Sequence, residues 1–432
     1  MKRFPALTLL LVSVIACGSC SRFPNREAAG VEIEETHTLK VVTNSAYSLR
    51  AVYAIADRFI RDHPSFTVEA SAVAGTAPIN VFLTSKFAVG DAPDIFIYQA
   101  GSSTRLFAQG GHLLDLSDQG FEERFVSGTD ESCRYQGRLY ALPMDISISG
   151  LFVQMSVLWR GYIKNNDLRV VPRTIDEFIE SCEKLRRAGI EYPVVISAAN
   201  DTAAANFLYQ YIHQNIYAEN PHFYEDIIRG RRKWTDGEFQ EMYRMYERLR
   251  PYMNPDAVRI DNGEAIRRFA EGEAAYYIGL SRDIAAIRKI QPDLDMLLVT
   301  PPWKKEAAGT HALSGVDTVV SGSGATPYPD EVIAFLRELS SAEGADLYIQ
   351  AASSISAVRD SYIWYDPCLG PQNDVFKESP FSEFISRQWL PGFEDLFRRL
   401  NQEWFTGRPA DSILEELERL HQQAISLNGA MF

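Results

Sequence analysis

The stretch LKVVTNSAYSLRAVYAIADRFIRDHPSFTVEA, residues 39–70, contains the pattern that decides the fold class of this chain. It begins with a β-rich run and continues into a segment whose apolar residues recur every three or four positions, as on one face of a helix. The His63-Pro64 pair ends this helix, and a second β-rich run follows. Another helical stretch leads to a third run over 95–98, so the order strand, helix, strand, helix, strand predicts a mostly parallel sheet.

The same alternation restarts beyond Pro143. Before it, the segment YQGRLYALP predicts a β-hairpin in which Gly137 supplies the turn. Thr174 is the predicted N-cap of a helix that Gly189 ends. Further strands are expected at 194–197, 274–278, 296–299 and 317–320. Further helices are expected within 203–271 and at 329–340, 343–351, 392–405 and 410–427. The pattern therefore predicts an α/β chain with two sheet-forming regions and a helical C-terminal third.

The N-terminal sequence MKRFPALTLLLVSVIAC is typical of an exported protein. Two basic residues precede an apolar run that is too short to span a bilayer, which needs about 20 apolar residues. The pattern predicts a signal peptide over residues 1–16. Its end resembles a bacterial lipobox, which implies that Cys17 carries a lipid. Cys20 is the second choice for lipidation, and an ordinary cleaved signal peptide is the alternative.

The residues that follow, 17–37, are polar and aperiodic, and they are expected to tether the protein to the membrane. We therefore expect an extracytoplasmic protein, anchored by lipid to a bacterial membrane and acting in the periplasm or at the cell surface. The net charge of −14 disfavours nucleic acid and anionic lipid surfaces as partners. With 432 residues, the chain exceeds one ordinary core, so two or more lobes are expected.

Motifs for metal, cofactor or catalytic chemistry are weak in this sequence. The seven histidines show no zinc-binding spacing, and the Gly322-Ser323-Gly324 run lacks the dinucleotide-binding pattern. No metal or cofactor is therefore expected. A single disulfide among Cys133, Cys182 and Cys368 is compatible with the sequence, which does not choose the pair. No sequence motif marks a catalytic pair of carboxylates among the 57 acidic residues, so no enzymatic activity is expected.

Six short segments follow one another along the chain: GDAPDIF at 90–96, LLDLS at 113–117, YQGRLYALP at 135–143, TIDEF at 174–178, FAEGEAA at 269–275 and PDEVIAFLREL at 329–339. In this order they resemble motifs of the family 1 extracellular solute-binding proteins of ATP-driven importers, which include maltose-binding protein. Ile175 stands where the family usually has tryptophan. The resemblance covers about residues 38 to 350.

This resemblance implies the two-lobe periplasmic-binding-protein fold of type II, with a ligand cleft between the lobes at a hinge that the chain crosses three times. Lobe I is expected to comprise residues 38–143 and 284–341. Lobe II is expected to comprise residues 146–280 and 342–432. A ligand that contacts both lobes stabilises the closed form, which the permease of the importer reads.

In this fold the ligand lies at turns that follow the strands. The turns expected to bind ligand contain Asn44, Tyr47, Gly75, Thr76, Tyr98 and Gln99. Asp145 follows the hairpin, where the family often has a polar ligand contact; a carboxylate that caps the hinge is the alternative. Trp234 is a candidate for stacking on a sugar ring, with a hydrophobic staple as the alternative.

The segment Ser281-Arg282 lies where the family commonly has a tryptophan that stacks on sugar. Ser281 leaves the type of sugar open, and Arg282 is expected either to contact an acidic group of the ligand or to form a hinge ion pair. Gly315 and Asp317 lie at a turn whose backbone N–H groups are expected to reach the ligand, and a tight turn is the alternative explanation.

The resemblance implies a monomeric lipoprotein that delivers a carbohydrate-like solute, such as an oligosaccharide, to an ABC importer. Two alternatives stay open. The same fold could feed a sensor or bind an envelope partner, and a secreted carbohydrate-active enzyme is the less favoured hypothesis.

Overall fold

A computed structural model of the protein describes residues 36–73, 79–164, 171–199, 201–306, 313–352, 354–361, 366–371, 384–390 and 392–428. Cys17 and the predicted signal peptide and tether, up to residue 35, lie outside the described residues. From His37 onward the chain forms one compact unit.

The strands are β1 His37–Thr43, β2 Phe66–Ala72, β3 Ile95–Gln99, β4 Arg134–Tyr135, β5 Arg138–Leu139, β6 Leu142–Pro143, β7 Asp145–Gln154, β8 Val194–Val195, β9 Tyr276–Leu280, β10 Met296–Val299, β11 Leu313–Val316, β12 Thr318–Gly322 and β13 Ile355–Ser356. The helices are α1 Ala46–Asp62, α2 Ile79–Val89, α3 Ser102–Gln109, α4 Met155–Lys164, α5 Ile175–Arg187, α6 Asp201–Ile212, α7 Phe223–Ile228, α8 Gly237–Leu249, α9 Asn262–Ala270, α10 Ile284–Ile290, α11 Pro329–Leu339, α12 Ala342–Ala352, α13 Phe393–Phe405 and α14 Ala410–Asn428.

Lobe I is built on a sheet with the strand order β2-β1-β3-β12-β6. Its first three strands are parallel, with Val41 paired to Ala70 on one side and to Ile95 on the other, as the strand–helix alternation predicted. Helix α1 begins at its N-cap Ser45, whose Oγ accepts a hydrogen bond from the Ser48 N–H. The apolar face of α1 is buried against the sheet.

Lobe II is built around β7, a strand of ten residues that are all buried. Strands β9 and β13 pair along one edge of β7, and β10 and β11 pair along the other, all antiparallel. Because β7 is covered on both faces, all ten residues of DISISGLFVQ are buried. No strand was predicted at these residues, although polar and apolar residues alternate over 145–149.

The two-lobe α/β architecture is confirmed, but the sheet pairing differs from the expected boundaries. Strands β10 and β11 pair with β7 of lobe II, so the segment 284–341 divides between the lobes at Asp317. Helix α12 instead packs against α1 of lobe I, with Tyr348 and Ile349 in the lobe I core. The lobe of each segment is decided by the sheet against which its apolar side chains are buried. A local sequence pattern does not report which sheet that is.

The hinge is formed where three chain crossings lie side by side. The Met144 N–H donates to the Thr318 carbonyl (2.9 Å), and the Asp317 N–H donates to the Asp145 carbonyl (3.2 Å). The third crossing lies at Ser356, which pairs with Asp145. The resemblance implied crossings near residues 144, 282 and 342. The structure keeps the first and has the other two at Asp317 and Ser356, because β10 and β11 pair with β7 and α12 packs on lobe I.

Candidate functional site

A cavity of about 370 Å³ lies between the two lobes next to the hinge. This cleft cavity is lined from lobe I by the carboxyl end of β3 and the first turns of α2 and α3. Lobe II lines it with Ser147 of β7, Leu280 at the end of β9, and residues of α6. Residues from 384–390 and 392–398 close it on the lobe II side. The volume lies within the range of small-molecule sites, which is roughly 300–1,000 Å³.

Two residues that line the cleft cavity, one from each lobe, carry a buried polar atom without a hydrogen bond. The atoms are the Ser147 Oγ and the Asn80 Oδ1, and neither has a partner within the part of the chain that the structure describes. The amide nitrogen of Asn80 donates to the Ser103 Oγ at 2.8 Å, which fixes the orientation of the side chain. Since a buried polar group without a partner costs about 1–3 kcal/mol, these atoms are suited to hydrogen bonds with a ligand.

Charged side chains line the hinge side and the lobe II side of the cleft cavity. Arg282 forms an ion pair with Asp317 at 2.7 Å, and the two side chains are 42% and 15% exposed. Arg398 forms an ion pair with Asp395 in the first turns of α13. Tyr209 and Phe384 are aromatic residues of the lining. The site therefore combines neutral hydrogen-bonding groups, charges and apolar ring surface.

Asp145 lies behind the cleft cavity, in the hinge. Its Oδ1 accepts a hydrogen bond from the Thr318 N–H at 2.9 Å. Burial, together with the negative charge of Asp317, raises the pKa of Asp145 to about 7. The geometry is that of a carboxylate capping the hinge backbone, which was the alternative expected for this residue.

The structure brings Gln99, Arg282 and Asp317 together in the lining of the cleft cavity. Ser281 and Gly315 lie beside the hinge. The Ser281 Oγ accepts from the Ile148 N–H at 3.0 Å, and a Cβ on Gly315 would lie 2.2 Å from the ring of Phe384.

Other predicted ligand residues lie away from this cavity. Tyr98 is fully buried in lobe I, and its hydroxyl bonds to Thr104 and Ser321 at 3.1 Å each. Trp234 is fully buried in an aromatic cluster of lobe II with Trp389 and Phe393.

The predicted turn residue Asn44 lies at the start of lobe I helix α1, where its Oδ1 accepts from the Ser48 hydroxyl at 3.3 Å. Gly75, Thr76 and the side chain of Tyr47 lie outside the described residues.

Sequence reasoning missed several lining residues: Asn80, Ser147, Asn206, Tyr209, Phe384 and Arg398. Asn80 lies in the first turn of α2, which follows the turn predicted at 75–77. That predicted turn was the sequence signal from which Asn80 could have been identified. Ser147 lies on the strand that was not predicted. The residues after 383 reach the cleft through long-range packing, which no local pattern reports.

The described residues contain no group of three or more His, Cys, Asp or Glu side chains suited to a metal ion. Cys133, Cys182 and Cys368 are buried free thiols. In the parts of the chain that are described, no helix combines the length and apolar character needed to cross a membrane.

The fold is similar to those of solved binding proteins. A chitin oligosaccharide binding protein superimposes with a TM-score of 0.78 and 17% identity, covering 91% of this chain and 100% of that one. The binding protein RafE in complex with raffinose superimposes with a TM-score of 0.76 and 17% identity, covering 90% and 100%. At these identities the likeness shows the fold alone.

An uncharacterized ABC transporter extracellular-binding protein of Pyrococcus horikoshii is 23% identical over 293 residues. The match covers 64% of this chain and 66% of that relative, just under two thirds of its length. Residues 45–346, more than half of the chain, match the family described as bacterial extracellular solute-binding protein, and the chain belongs to that family.

Proposed function

We propose that this protein captures a carbohydrate-like solute outside the cytoplasm and delivers it to the permease of an ABC importer. The observation that carries the proposal is the cleft cavity, which both lobes line and where the Asn80 Oδ1 and the Ser147 Oγ lack partners among the described residues. A solute rich in hydroxyl groups satisfies donors and acceptors on both sides at once. Relatives of this fold named for raffinose and for chitin oligosaccharides support the solute class.

Binding is coupled to closure of the lobes at the hinge. A solute that bonds to Asn80 of lobe I and Ser147 of lobe II favours the closed form by its differential affinity for that form. The three adjacent crossings at Met144, Asp317 and Ser356 allow the lobes to move about one edge without breaking either core.

The rest of the proposal concerns where the protein acts and what happens to its solute. The signal peptide over 1–16 directs export and is removed, and the lipid on Cys17 holds a monomer at the membrane through the tether 17–37. One lipid anchor keeps the protein near the permease. The solute is released unaltered; in support, the carboxylates of Asp317 and Asp395 in the cleft lining are held in ion pairs with Arg282 and Arg398.

The test is a thermal-shift screen of the chain from Gly18 onward, with Cys20→Ser, against monosaccharides, oligosaccharides, polyols and sugar acids. A ligand at 100 times its Kd adds about 2.7 kcal/mol to the free energy of unfolding, which gives a clear shift in Tm. We expect at least one sugar class to produce this shift without being consumed, as measured by chromatography of the supernatant.

A folded sample that responds to no member of the panel would contradict the carbohydrate proposal. Consumption of the ligand would instead support an enzyme. As the control variant, Ser85→Ala removes a hydroxyl from an exposed face of α2, where it donates to the Phe82 carbonyl of the same helix, and is expected to leave the shift unchanged.

A further inference from the structure

An apolar groove of about 470 Å³ lies between α2 and α3 on the surface of lobe I. Its aromatic floor is formed by Phe87, Phe107 and His112. The ring of His112 stacks on Phe87 with centroids 4.4 Å apart and an interplanar angle of 4°, and Phe107 meets Phe87 edge-on at 5.0 Å. Gly110 allows this arrangement, because a Cβ there would lie 2.7 Å from the His112 ring.

This groove meets the cleft cavity at Leu106, which lines both and is 43% exposed. The lining residues of α2 follow helical spacing from Asn80 in the cleft to Thr84 and Ala88 in the groove. One face of α2 thus leads from a hydrogen-bonding end, where the solute is proposed to bind, to an apolar end that opens to solvent.

We infer that the groove is a subsite for an apolar substituent of the solute, whose polar part occupies the cleft cavity. The ligand class is an amphiphilic carbohydrate, such as an alkyl or aryl glycoside. This inference rests on the proposed function and specifies its substrate class. Continuity with the cleft favours such a ligand, because an apolar groove next to a polar site can bind both parts of one molecule.

The inference predicts that affinity depends on the aglycone. Burial of each methylene group lowers Kd by roughly fourfold, so a chain that places three or more methylenes in the groove gains well over tenfold. The probes are octyl β-D-glucopyranoside, kept below its micelle-forming concentration, and methyl β-D-glucopyranoside. Titration calorimetry of the soluble chain measures both Kd values.

The variants are a matched pair on adjacent residues of α2. Ala88→Glu places a carboxylate in the groove, whereas Val89→Glu places one on a residue that is 72% exposed and lines neither cavity. We expect tenfold or tighter binding of the octyl glycoside by the unaltered chain and by the Val89 variant. The Ala88 variant is expected to lose this gain.

Equal Kd values for the two glycosides, or no binding of the octyl glycoside, would overturn the inference. The same holds if the Ala88 and Val89 variants behave alike, or if sedimentation shows that the groove joins two copies of the chain. The proposed function fails separately, when the panel of ordinary sugars and sugar acids gives no thermal shift.

Discussion

The two lobes build their walls of the cleft in different ways. In lobe I the lining comes from one short part of the chain, residues 80–106, at a strand end and two helix starts. In lobe II it combines Ser147 of the hinge strand with α6 and with residues from 384–390 and 392–398, near the other end of the chain. Lobe I contributes mainly amide and hydroxyl groups, and lobe II adds charges and rings. The lobe II wall therefore depends more on long-range packing.

The largest expected effect comes from overpacking at that long-range contact. Gly315→Ala places a Cβ 2.2 Å from the ring of Phe384 and 2.8 Å from its backbone nitrogen. We expect a loss of about 3 kcal/mol in the free energy of unfolding, because the backbone atom cannot move aside cheaply. Urea denaturation measures this loss in the free energy of unfolding.

Gly322→Ala is the lobe I counterpart, where the Cβ would meet side chains and no backbone atom: Val332 at 2.7 Å and Leu114 at 3.3 Å. We expect a smaller loss, of about 1–2 kcal/mol. A larger loss at Gly322 than at Gly315 would contradict the difference drawn between the two lobes.

The hinge between the lobes is expected to make stability depend on pH. The pKa of Asp145 is raised to about 7 by burial and by the charge of Asp317, so the folded protein binds this proton more tightly than the unfolded chain does. The free energy of unfolding should therefore fall as pH rises from about 4 to about 7 and then level off.

Asp145→Asn should remove most of this fall and raise stability at pH 8, since the amide oxygen still accepts from the Thr318 N–H. Asp57→Asn, on an exposed residue of α1, is the control. Denaturation curves at several pH values give the profile, and an unchanged slope in the Asp145 variant would show that another group is responsible.

Two serines of β7, Ser147 and Ser149, are expected to change the free energy of unfolding in opposite directions when each is replaced by alanine. The Ser147 Oγ is buried without a partner among the described residues, so Ser147→Ala should raise the free energy of unfolding of the unliganded protein by about 1 kcal/mol. The Ser149 Oγ accepts from the Gln210 Nε2 at 2.8 Å, so Ser149→Ala should lower it by about 1 kcal/mol. Equal losses in both would mean that Ser147 is already satisfied.

The smallest effect is expected at the ion pair of Arg282 and Asp317. Arg282→Gln should change the free energy of unfolding by less than about 1 kcal/mol, because the pair is partly exposed. The change should shrink further in high salt. A loss that persists at 1 M salt would indicate that the arginine stabilises the hinge by packing.

Much of the fold follows from local sequence patterns. The alternation over residues 39–98 predicted β1, α1, β2 and β3, and Thr174 caps α5 as expected, with its side chain accepting from the Glu177 N–H. In the hairpin, Gln136 and Gly137 both take positive φ angles, as the expected turn requires. These features depend on neighbours in sequence, which a local pattern reports.

The site was less accessible to sequence reasoning. Gln99, Arg282 and Asp317 were predicted and line the cleft cavity, because strand ends and hinge turns have recognisable sequences. Trp234 was chosen for its residue type, yet it packs in the core, as most large aromatic residues do. Phe384 and Arg398 reach the cleft by tertiary packing alone.

The central claim is that one solute contacts both lobes in the cleft cavity. The most direct measurement is the Kd of the best solute from the thermal-shift screen for Asn80→Ala, for Ser147→Ala and for the double variant, by titration calorimetry. The account predicts that each single variant weakens binding by about tenfold, as loss of one hydrogen bond in a dry site does. Unchanged Kd values in folded samples of both variants would contradict it.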